Sequence, residues 1–236
     1  MENEAKDIRI HAFIICWSGM EDNARHIARS IHHLVDELSV VYSNKNDTIE
    51  TGAGNWIQVP DTWFFGKKFQ TCLQLHTGGI LLQIQADAAS DNWPALVNHC
   101  KSAYAQFDNI GVWAPNVDYT WWTDDRVLIR HIESSKMVMV AQTDCTVWSF
   151  SENVLQRLRA FDYDHNNFGW GIDWVAIAYS VANHLLVLRD MSITIKHRQE
   201  TGYKKEEAEQ QMNNFFKQMT PSELEHYGRL KRFVTR

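Results

Sequence analysis

The opening of this 236-residue chain predicts a strand–helix–strand unit. Residues 8–17 are apolar and rich in β-forming side chains, and residues 22–37 repeat apolar side chains at helical spacing. Residues 38–43 form a second apolar run of strand length. Two strands joined through a helix run parallel, because the crossover returns the chain to the end of the sheet at which it began. The unit therefore predicts an α/β fold.

Residues 80–84 support a parallel sheet. Their sequence, Ile-Leu-Leu-Gln-Ile, is nearly continuously apolar, as in a strand that is covered on both faces. Strand-like and helix-like patterns alternate along the rest of the chain without a repeat or a low-complexity linker. We therefore expect a single domain over residues 1–236, with a mixed, mostly parallel central sheet flanked by helices and a C-terminal helical tail at 203–236. Further strands are expected at residues 56–60, 110–115, 137–141, 147–150, 185–188 and 192–196, and further helices at residues 65–75, 92–105, 151–161, 174–182 and 206–218.

Composition disfavours several classes of function. The net charge is −6 and the pI is about 6.0, whereas general nucleic-acid binders are usually basic. The locally basic residues 229–236 are expected to form a solvated tail, open to weak contact with a membrane or another anionic partner. The four cysteines form no C-x-x-C pair, so they favour a reducing compartment over a zinc site. Residues 1–7 are polar, unlike a signal peptide, and no apolar run reaches the roughly 18 residues of a membrane span, so we expect a cytoplasmic protein.

Several polar and aromatic side chains follow the predicted parallel strands. Trp17 ends the first strand, and Tyr42 and Asn44 end the second. Asp87 follows the buried strand at 80–84, where it is placed either to hold a metal or to cap the next helix. Ligands of such sheets bind beyond the carboxyl ends of the strands. No G-x-G-x-x-G or P-loop motif follows the first strand, so the dinucleotide and P-loop classes lose their main support.

A glycine loop precedes one of the apolar helices. Gly169, Trp170 and Gly171 lead directly into Asp173, which falls in the first turn of the helix. Glycine allows a sharp turn and a close approach of a ligand, and backbone N–H groups at a helix start hold an acidic side chain in place. Asp173 is therefore either a helix cap or a functional carboxylate.

The order of these features resembles the GT-A class of nucleotide-sugar glycosyltransferases over residues 8–203. That class shows an Asp-x-Asp motif, a glycine loop, an acid that opens a helix, and a late histidine. Asp87 matches the last acid of the metal motif, and Gly169 and Gly171 match the glycine loop. Asp173 matches the acid after it, and His197 matches the late histidine.

The resemblance implies a single GT-A-like (Rossmann-like) domain that moves a sugar from a nucleotide-sugar donor to a carbohydrate or other hydroxyl acceptor. Asp87 and His197 would hold Mn²⁺ or Mg²⁺, which neutralises the charge that develops on the leaving diphosphate. Gln85 replaces the first acid of the motif, so the metal is expected to be held less strongly. Asp173 would be the general base of an inverting enzyme, or would orient the acceptor in a retaining one.

The remaining candidates divide between the donor and the acceptor. Trp17, Tyr42 and Asn44 are expected on the nucleoside side of the donor, and Lys67 or Lys68 at its phosphates, although paired lysines are also common as solvated surface residues. Trp170, with the glycines beside it, is expected to contact the acceptor, and so is Asp144, which follows the strand at 137–141.

Two other classes of function remain open. A nucleotidyltransferase uses a similar sheet and metal, but it usually carries a Gly- and Lys/Arg-rich loop after the first strand, which residues 17–22 lack. A non-catalytic sugar- or nucleotide-binding module would have kept the fold and lost the metal, and Gln85 keeps this hypothesis open.

Overall fold

The computed structural model describes residues 8–46, 48–197 and 204–236. Residues 1–7, considered above for a signal peptide, and residue 203 at the start of the expected tail lie outside these ranges. The elements are β1 (Ile10–Cys16), α1 (Glu21–Ile31), β2 (Glu37–Tyr42), β3 (Asn55–Gln58), α2 (Phe65–Leu75), β4 (Ile80–Gln85), α3 (Trp93–Gln106), β5 (Ile110–Val117), α4 (Asp124–Val127), β6 (Leu128–His131), β7 (Met137–Val140), β8 (Val147–Phe150), α5 (Glu152–Arg159), α6 (Ile172–Ala182), β9 (Leu186–Ile195), α7 (Lys205–Phe216) and α8 (Pro221–Val234).

The strands of the described residues form one nine-stranded sheet in the order β3-β2-β1-β4-β8-β5-β9-β7-β6. The first four strands of the chain are mutually parallel, and β9 is parallel to β5. Strand β8 lies antiparallel between β4 and β5, and β7 lies antiparallel between β9 and β6. The predicted α/β fold with a mixed, mostly parallel sheet is confirmed.

Helices cover both faces of this sheet. On one face, Ile27 of α1 and Leu96 of α3 are buried with Ile14 of β1. Phe13, the residue before Ile14 in β1, points to the other face and is buried with Val175 of α6. Because both faces are covered, every residue of β1 is buried, which is why the strand is apolar throughout.

The short elements α4 and β6 were not predicted, and the largest differences in extent are at α1 and β9. Helix α1 ends at Ile31 instead of continuing to 37, because the following turn brings the Asp36 carboxylate to the backbone N–H of Ile10, at 2.8 Å, before β2 begins. Strand β9 is continuous, although Arg189 and Asp190 were expected to interrupt it. Both side chains are buried with partners, Arg189 with Asp124 and Asp190 with His99, so the two charges are accommodated within the sheet.

The basic stretch at 229–236 is not the solvated tail that was expected. Most of it belongs to α8, whose start carries a capping box in which Thr220 and Glu223 exchange hydrogen bonds. Leu230 and Val234 are buried in the same core cluster as α6. These two apolar residues are four positions apart among charged residues, so they lie on one side of the helix and anchor it to the core. In the described part of the chain, no helix has both the length and the apolar character needed to cross a bilayer.

Candidate active site

The candidate residues meet at the carboxyl edge of the parallel strands. Strand β8 runs antiparallel to β4, so the loop before β8 lies beside the end of β4. The backbone N–H of Gln85 donates to the carbonyl oxygen of Thr146 at 2.9 Å, and its side-chain amide donates to that of Cys145 at 3.0 Å. Gln85, considered above as a metal ligand, therefore binds this loop through its amide nitrogen.

Asp87 and His197 lie side by side at this edge. Ala89 and Lys196 exchange two backbone hydrogen bonds of 2.8 Å, which align the segment after β4 with the end of β9. As a result, His197 Nε2 lies 3.5 Å from Asp87 Oδ2. Burial acts to lower the pKa of His197, but the hydrogen bond and charge of Asp87, helped by Asp144 and Asp118, raise it overall.

Asp87 and His197 fit as the protein ligands of a Mg²⁺ or Mn²⁺ ion. Among the residues that the structure describes, no three His, Cys, Asp or Glu side chains stand close enough together to hold a metal. Magnesium is commonly bound by one or two carboxylates, with water and phosphate oxygens in the other positions. Asp87 and His197 are thus too few to hold a metal alone, but they are enough for a metal that a bound diphosphate also ligates.

Asp173 lies in the first turn of α6, as predicted. Gly171 before it has φ +89°, a left-handed conformation that glycine adopts without strain. The side-chain amide of Gln142 donates to Asp173 Oδ2 at 3.0 Å. Burial raises the pKa of Asp173 to about 6, with a contribution from the charge of Asp144, while backbone N–H groups at the helix start oppose the shift. A carboxyl with this pKa changes charge near neutral pH, as a general base requires.

Asp144 precedes Cys145 in the loop before β8, and its charge acts on both Asp173 and His197. Its Oδ2 accepts a hydrogen bond from the Thr120 hydroxyl at 3.1 Å. The pKa of the Cys145 thiol is well above its usual range, first because of burial and then because of the charges of Asp144, Asp173 and Asp87. Three acidic residues that the sequence placed in separate stretches therefore surround one thiol.

The glycine loop is fixed to the start of α2 by two asparagines that the sequence analysis passed over. Asn166 accepts from the Gly169 N–H at 3.1 Å and donates to the carbonyl oxygen of Trp170 at 3.1 Å. Asn167 accepts from the N–H of Phe64 through its side chain and from that of Gly66 through its backbone, at 2.9 and 2.8 Å. The Asn-Asn pair, which only Phe168 separates from Gly-x-Gly, was the available signal, since Asn side chains commonly bond to nearby backbone.

Tyr42 and Asn44 shape the loop after β2. The Tyr42 hydroxyl accepts from the backbone N–H of Glu50 at 2.9 Å, and the Asn44 amide donates to the carbonyl oxygen of Thr48 at 2.8 Å. A cavity of about 420 Å³ lies beside this loop, above the ends of β1 and β2. Its lining is polar and was largely missed from the sequence: Ser18, Gly19, Glu21, Asp22, Arg25, Asn44, Asn46, Thr48 and Glu50.

The two lysines at the start of α2 have different surroundings. Lys68 is fully buried, and its ammonium donates to the carbonyl oxygen of Cys16 at 2.7 Å and to the Ser43 hydroxyl at 2.9 Å, with the Trp17 ring 5.3 Å away. Burial lowers the pKa of Lys68 to about 8. This side chain joins the ends of β1 and β2 and is not a solvated surface lysine. Lys67 pairs with Asp164 at 2.6 Å.

No protein-family profile matches the chain, and no curated protein matches it in sequence. Solved structures do match. The mannosyltransferase PcManGT from Pyrobaculum calidifontis, in complex with GDP-Man and Mn²⁺, gives a TM-score of 0.61 at 13% identity over 97% of this chain and 70% of its own. GalNAc-T7 with UDP, GalNAc and Mn²⁺ gives 0.69 at 9% identity over 94% of this chain, which spans half of that protein's chain. UDP-glucose pyrophosphorylase complexed with UDP-glucose gives 0.51 at 10% identity over 89% of this chain and 100% of its own.

These likenesses confirm the expected fold. The chain has the GT-A-like α/β fold that the order of Asp87, the glycine loop and His197 indicated. The fold is shared by enzymes of more than one reaction class, so the reaction must be inferred from the site itself.

Proposed function

We propose that this protein is a glycosyltransferase that moves a sugar from a nucleotide-sugar donor to a hydroxyl acceptor. One observation carries the proposal: Asp173, a carboxyl with a pKa of about 6, lies at the same strand edge as the Asp87–His197 pair, and the charge of Asp144 acts on both. Sugar transfer requires these two functions, acceptance of a proton from the acceptor hydroxyl and binding of a leaving diphosphate, to be adjacent.

On the donor side, the nucleoside occupies the cavity above the ends of β1 and β2, and the diphosphate extends toward Asp87 and His197. Tyr42 and Asn44 hold the cavity's loop, and Lys68 joins the ends of β1 and β2, above which the cavity lies. A bound Mn²⁺ or Mg²⁺ would neutralise charge on the diphosphate. The Mn²⁺ in the complexes of PcManGT and GalNAc-T7 supports this assignment.

On the acceptor side, the hydroxyl lies against Asp173, beside Trp170 and its two glycines, with Asp144 as a further contact. In an inverting reaction, Asp173 takes the hydroxyl proton while the oxygen forms a bond to the anomeric carbon. The bond between that carbon and the diphosphate oxygen breaks, and the nucleoside diphosphate leaves. Gln142 orients the Asp173 carboxylate through its 3.0 Å hydrogen bond.

The nucleotidyltransferase alternative is disfavoured by the loop after β1. Residues 17–22 carry no lysine or arginine, and Glu21 and Asp22 line the nucleotide cavity. The loop therefore offers no basic side chain to a triphosphate, the substrate that a nucleotidyltransferase must bind. Because the chain is also similar in fold to UDP-glucose pyrophosphorylase, the test below includes an assay for nucleotidyl transfer.

The first test is thermal unfolding against UDP-, GDP-, CMP- and ADP-sugars and the free nucleotides, with and without Mn²⁺. A ligand at about 100 times its Kd stabilises the folded state by about 2.7 kcal/mol, which raises Tm by about 5–10 °C for a chain of this size. The stabilising donor is then assayed with a panel of hydroxyl acceptors for release of its nucleotide, which is a nucleoside diphosphate or, from a CMP-sugar, CMP. Formation of a nucleotide-sugar from a nucleoside triphosphate and a sugar phosphate would instead support the nucleotidyltransferase class.

Matched variants assign the roles. Asp87→Ala should abolish the part of the thermal shift that needs Mn²⁺, and Asp173→Asn should preserve the shift but lower turnover by at least about a hundredfold. Glu225→Gln removes an exposed carboxylate on α8 and should change neither. Nucleotide binding without turnover in any arm would favour the non-catalytic module.

A further inference from the structure

A second cavity of about 480 Å³ opens beside the candidate site. It lies between the end of β5, the loop that leads into α4, and the middle of β9. Its lining comprises Asn116, Val117, Tyr119, Thr120, Thr123, Asp124, Asp125, Arg189 and Met191. None of these residues has a role in the sugar transfer proposed above.

This cavity is joined to the candidate site through three hydrogen-bonded contacts. Thr120 in its lining donates to Asp144, and Asp118 on the same loop accepts from the backbone N–H of His197 at 3.1 Å. Arg189 donates to the backbone oxygen of Gln142 at 3.3 Å, and the side chain of Gln142 binds Asp173. The lining of the cavity is therefore bonded to residues that neighbour Asp173 and His197.

The lining is not suited to an anion. Its one cation, Arg189, is buried and already donates to Asp124 at 3.0 Å and to the carbonyl oxygen of Trp122 at 2.8 Å. Asp124 and Asp125 give the lining an excess of negative charge, which disfavours phosphate, sulfate and carboxylate groups. Carboxylate oxygens and the Asn116 amide are instead good partners for hydroxyl groups.

Two large aromatic side chains stand on the loop that borders the cavity. Tyr119 is 77% exposed and Trp121 is 66% exposed, although side chains of this size are usually buried. Tyr119 has φ +57°, a left-handed conformation that costs energy for a residue with a side chain. Flat apolar rings beside hydroxyl-binding oxygens match the two kinds of surface of a sugar ring, its C–H faces and its hydroxyl rim.

We propose that the cavity is a subsite for a neutral, hydroxyl-rich oligosaccharide, bound by Trp121 and Tyr119 and by the polar groups around Asn116 and Asp125. Its assignment to the acceptor of the transfer reaction rests on the proposed function, whereas the binding of the oligosaccharide does not. The observations that carry the proposal are the cavity, its charge, the exposed rings and the contacts to Asp144 and Gln142.

The test uses the full chain, fluorescently labelled, on an array of neutral, sulfated and sialylated oligosaccharides. Wild-type protein should retain neutral glycans above the charged ones, and Trp121→Ala should weaken the Kd for the strongest neutral glycan by about tenfold. Asp125→Lys, at an exposed position, should shift the preference toward sulfated glycans. Leu224→Ala, which removes an exposed apolar side chain from α8, is the matched control and should bind as wild type.

Three results would overturn the subsite: no retention of neutral glycans, a wild-type preference for charged ones, or binding that neither Trp121→Ala nor Asp125→Lys alters. Its failure is separable from that of the proposed function, because the thermal shifts induced by nucleotides do not depend on Trp121. If both proposals hold, Trp121→Ala should raise KM for the glycan acceptor by about tenfold and leave kcat nearly unchanged, since it removes binding remote from the reacting bond.

Discussion

Asp173 shows how a single residue can combine a structural and a chemical role. The start of α6 supplies backbone N–H groups that favour its charge, while burial and Asp144 oppose that charge. Burial prevails, so the carboxyl titrates at about pH 6 and not near pH 4. A solvated capping aspartate would not show this shift, and the difference makes the catalytic hypothesis testable by pH.

The rate should therefore depend on pH through Asp173. A general base must be ionised, so kcat/KM for nucleoside diphosphate release should fall about tenfold per pH unit below about pH 6 and level off above it. The measurement is a rate profile from pH 5 to 8, with Glu225→Gln showing the same profile. A flat profile in protein that stays folded throughout would exclude Asp173 as the base.

The same shift predicts that Asp173 lowers stability at neutral pH. Because its folded-state pKa is raised above the ordinary 3.8, its contribution to stability is present below about pH 4 and is lost as the pH rises through about 6. Asp173→Asn should therefore be more stable than wild type at pH 7.5, by at most about 3 kcal/mol, and nearly equal to it at pH 4. Urea unfolding at the two pH values measures this difference, and a variant less stable at pH 7.5 would contradict the sign.

At the scale of elements, the glycine loop and the start of α2 depend on each other. Gly66 packs so closely against the loop that a Cβ atom there would lie 1.9 Å from the backbone oxygen of Asn166. Backbone atoms on both sides leave no flexible side chain to move aside. The position of Gly169 and Trp170 is thus set by a helix about a hundred residues earlier in the sequence.

Gly66→Ala should displace the loop and reduce both stability and turnover. Overpacking of this kind costs about 1–3 kcal/mol, and displacement of the residues that precede Asp173 should lower kcat further than the loss of folded protein explains. The control is Gly228→Ala on α8, where the nearest atom to a Cβ is 3.6 Å away and belongs to a flexible arginine. That variant should gain about 0.5–1 kcal/mol, as Gly→Ala does within a helix. Equal unfolding midpoints for the two variants would refute the packing argument.

At the scale of the whole molecule, α8 joins the C-terminal helices to the body of the fold. Arg157 of α5 binds Glu223 of α8 through two hydrogen bonds of 2.6 and 2.9 Å, and Glu223 is almost fully buried. Burial acts to raise the pKa of Glu223, but the bonds from Arg157 and Thr220 hold it below its ordinary value. The ring of Tyr227 packs against Trp174, next to Asp173. We therefore expect the described residues to unfold as a single unit, as the prediction of a single domain requires.

Glu223→Ala should destabilise the whole protein and not only its C-terminus. It leaves the Arg157 guanidinium partly buried without its carboxylate, a change that costs about 3–5 kcal/mol. The midpoint in urea should fall equally when followed by tryptophan fluorescence and by circular dichroism, in one transition. Glu225→Gln, in an exposed pair with Arg229, should change stability by less than about 1 kcal/mol. Two separate transitions would show that the tail is an independent unit.

The sequence by itself determined the elements and the edge at which the site lies. Apolar spacing reports local burial, so it placed α2 at Phe65–Leu75 and the core strand β4 correctly. The carboxyl ends of parallel strands share one edge, which placed Trp17, Tyr42, Asn44 and Asp87 together. The resemblance to the GT-A class added Asp173 to that site. The predictions of helices and strands require only neighbouring residues.

Only the tertiary structure decided which distant residues meet. The antiparallel insertion of β8 brings Asp144 and Cys145 beside Gln85, and the Ala89–Lys196 bridge brings His197 to Asp87. No pattern of neighbouring residues predicts the burial of Lys68 beside Trp17. The same is true of the two buried charges within β9 and of the anchoring of α8. Such pairings depend on register between segments many residues apart, and side-chain periodicity within one segment carries no information about that register.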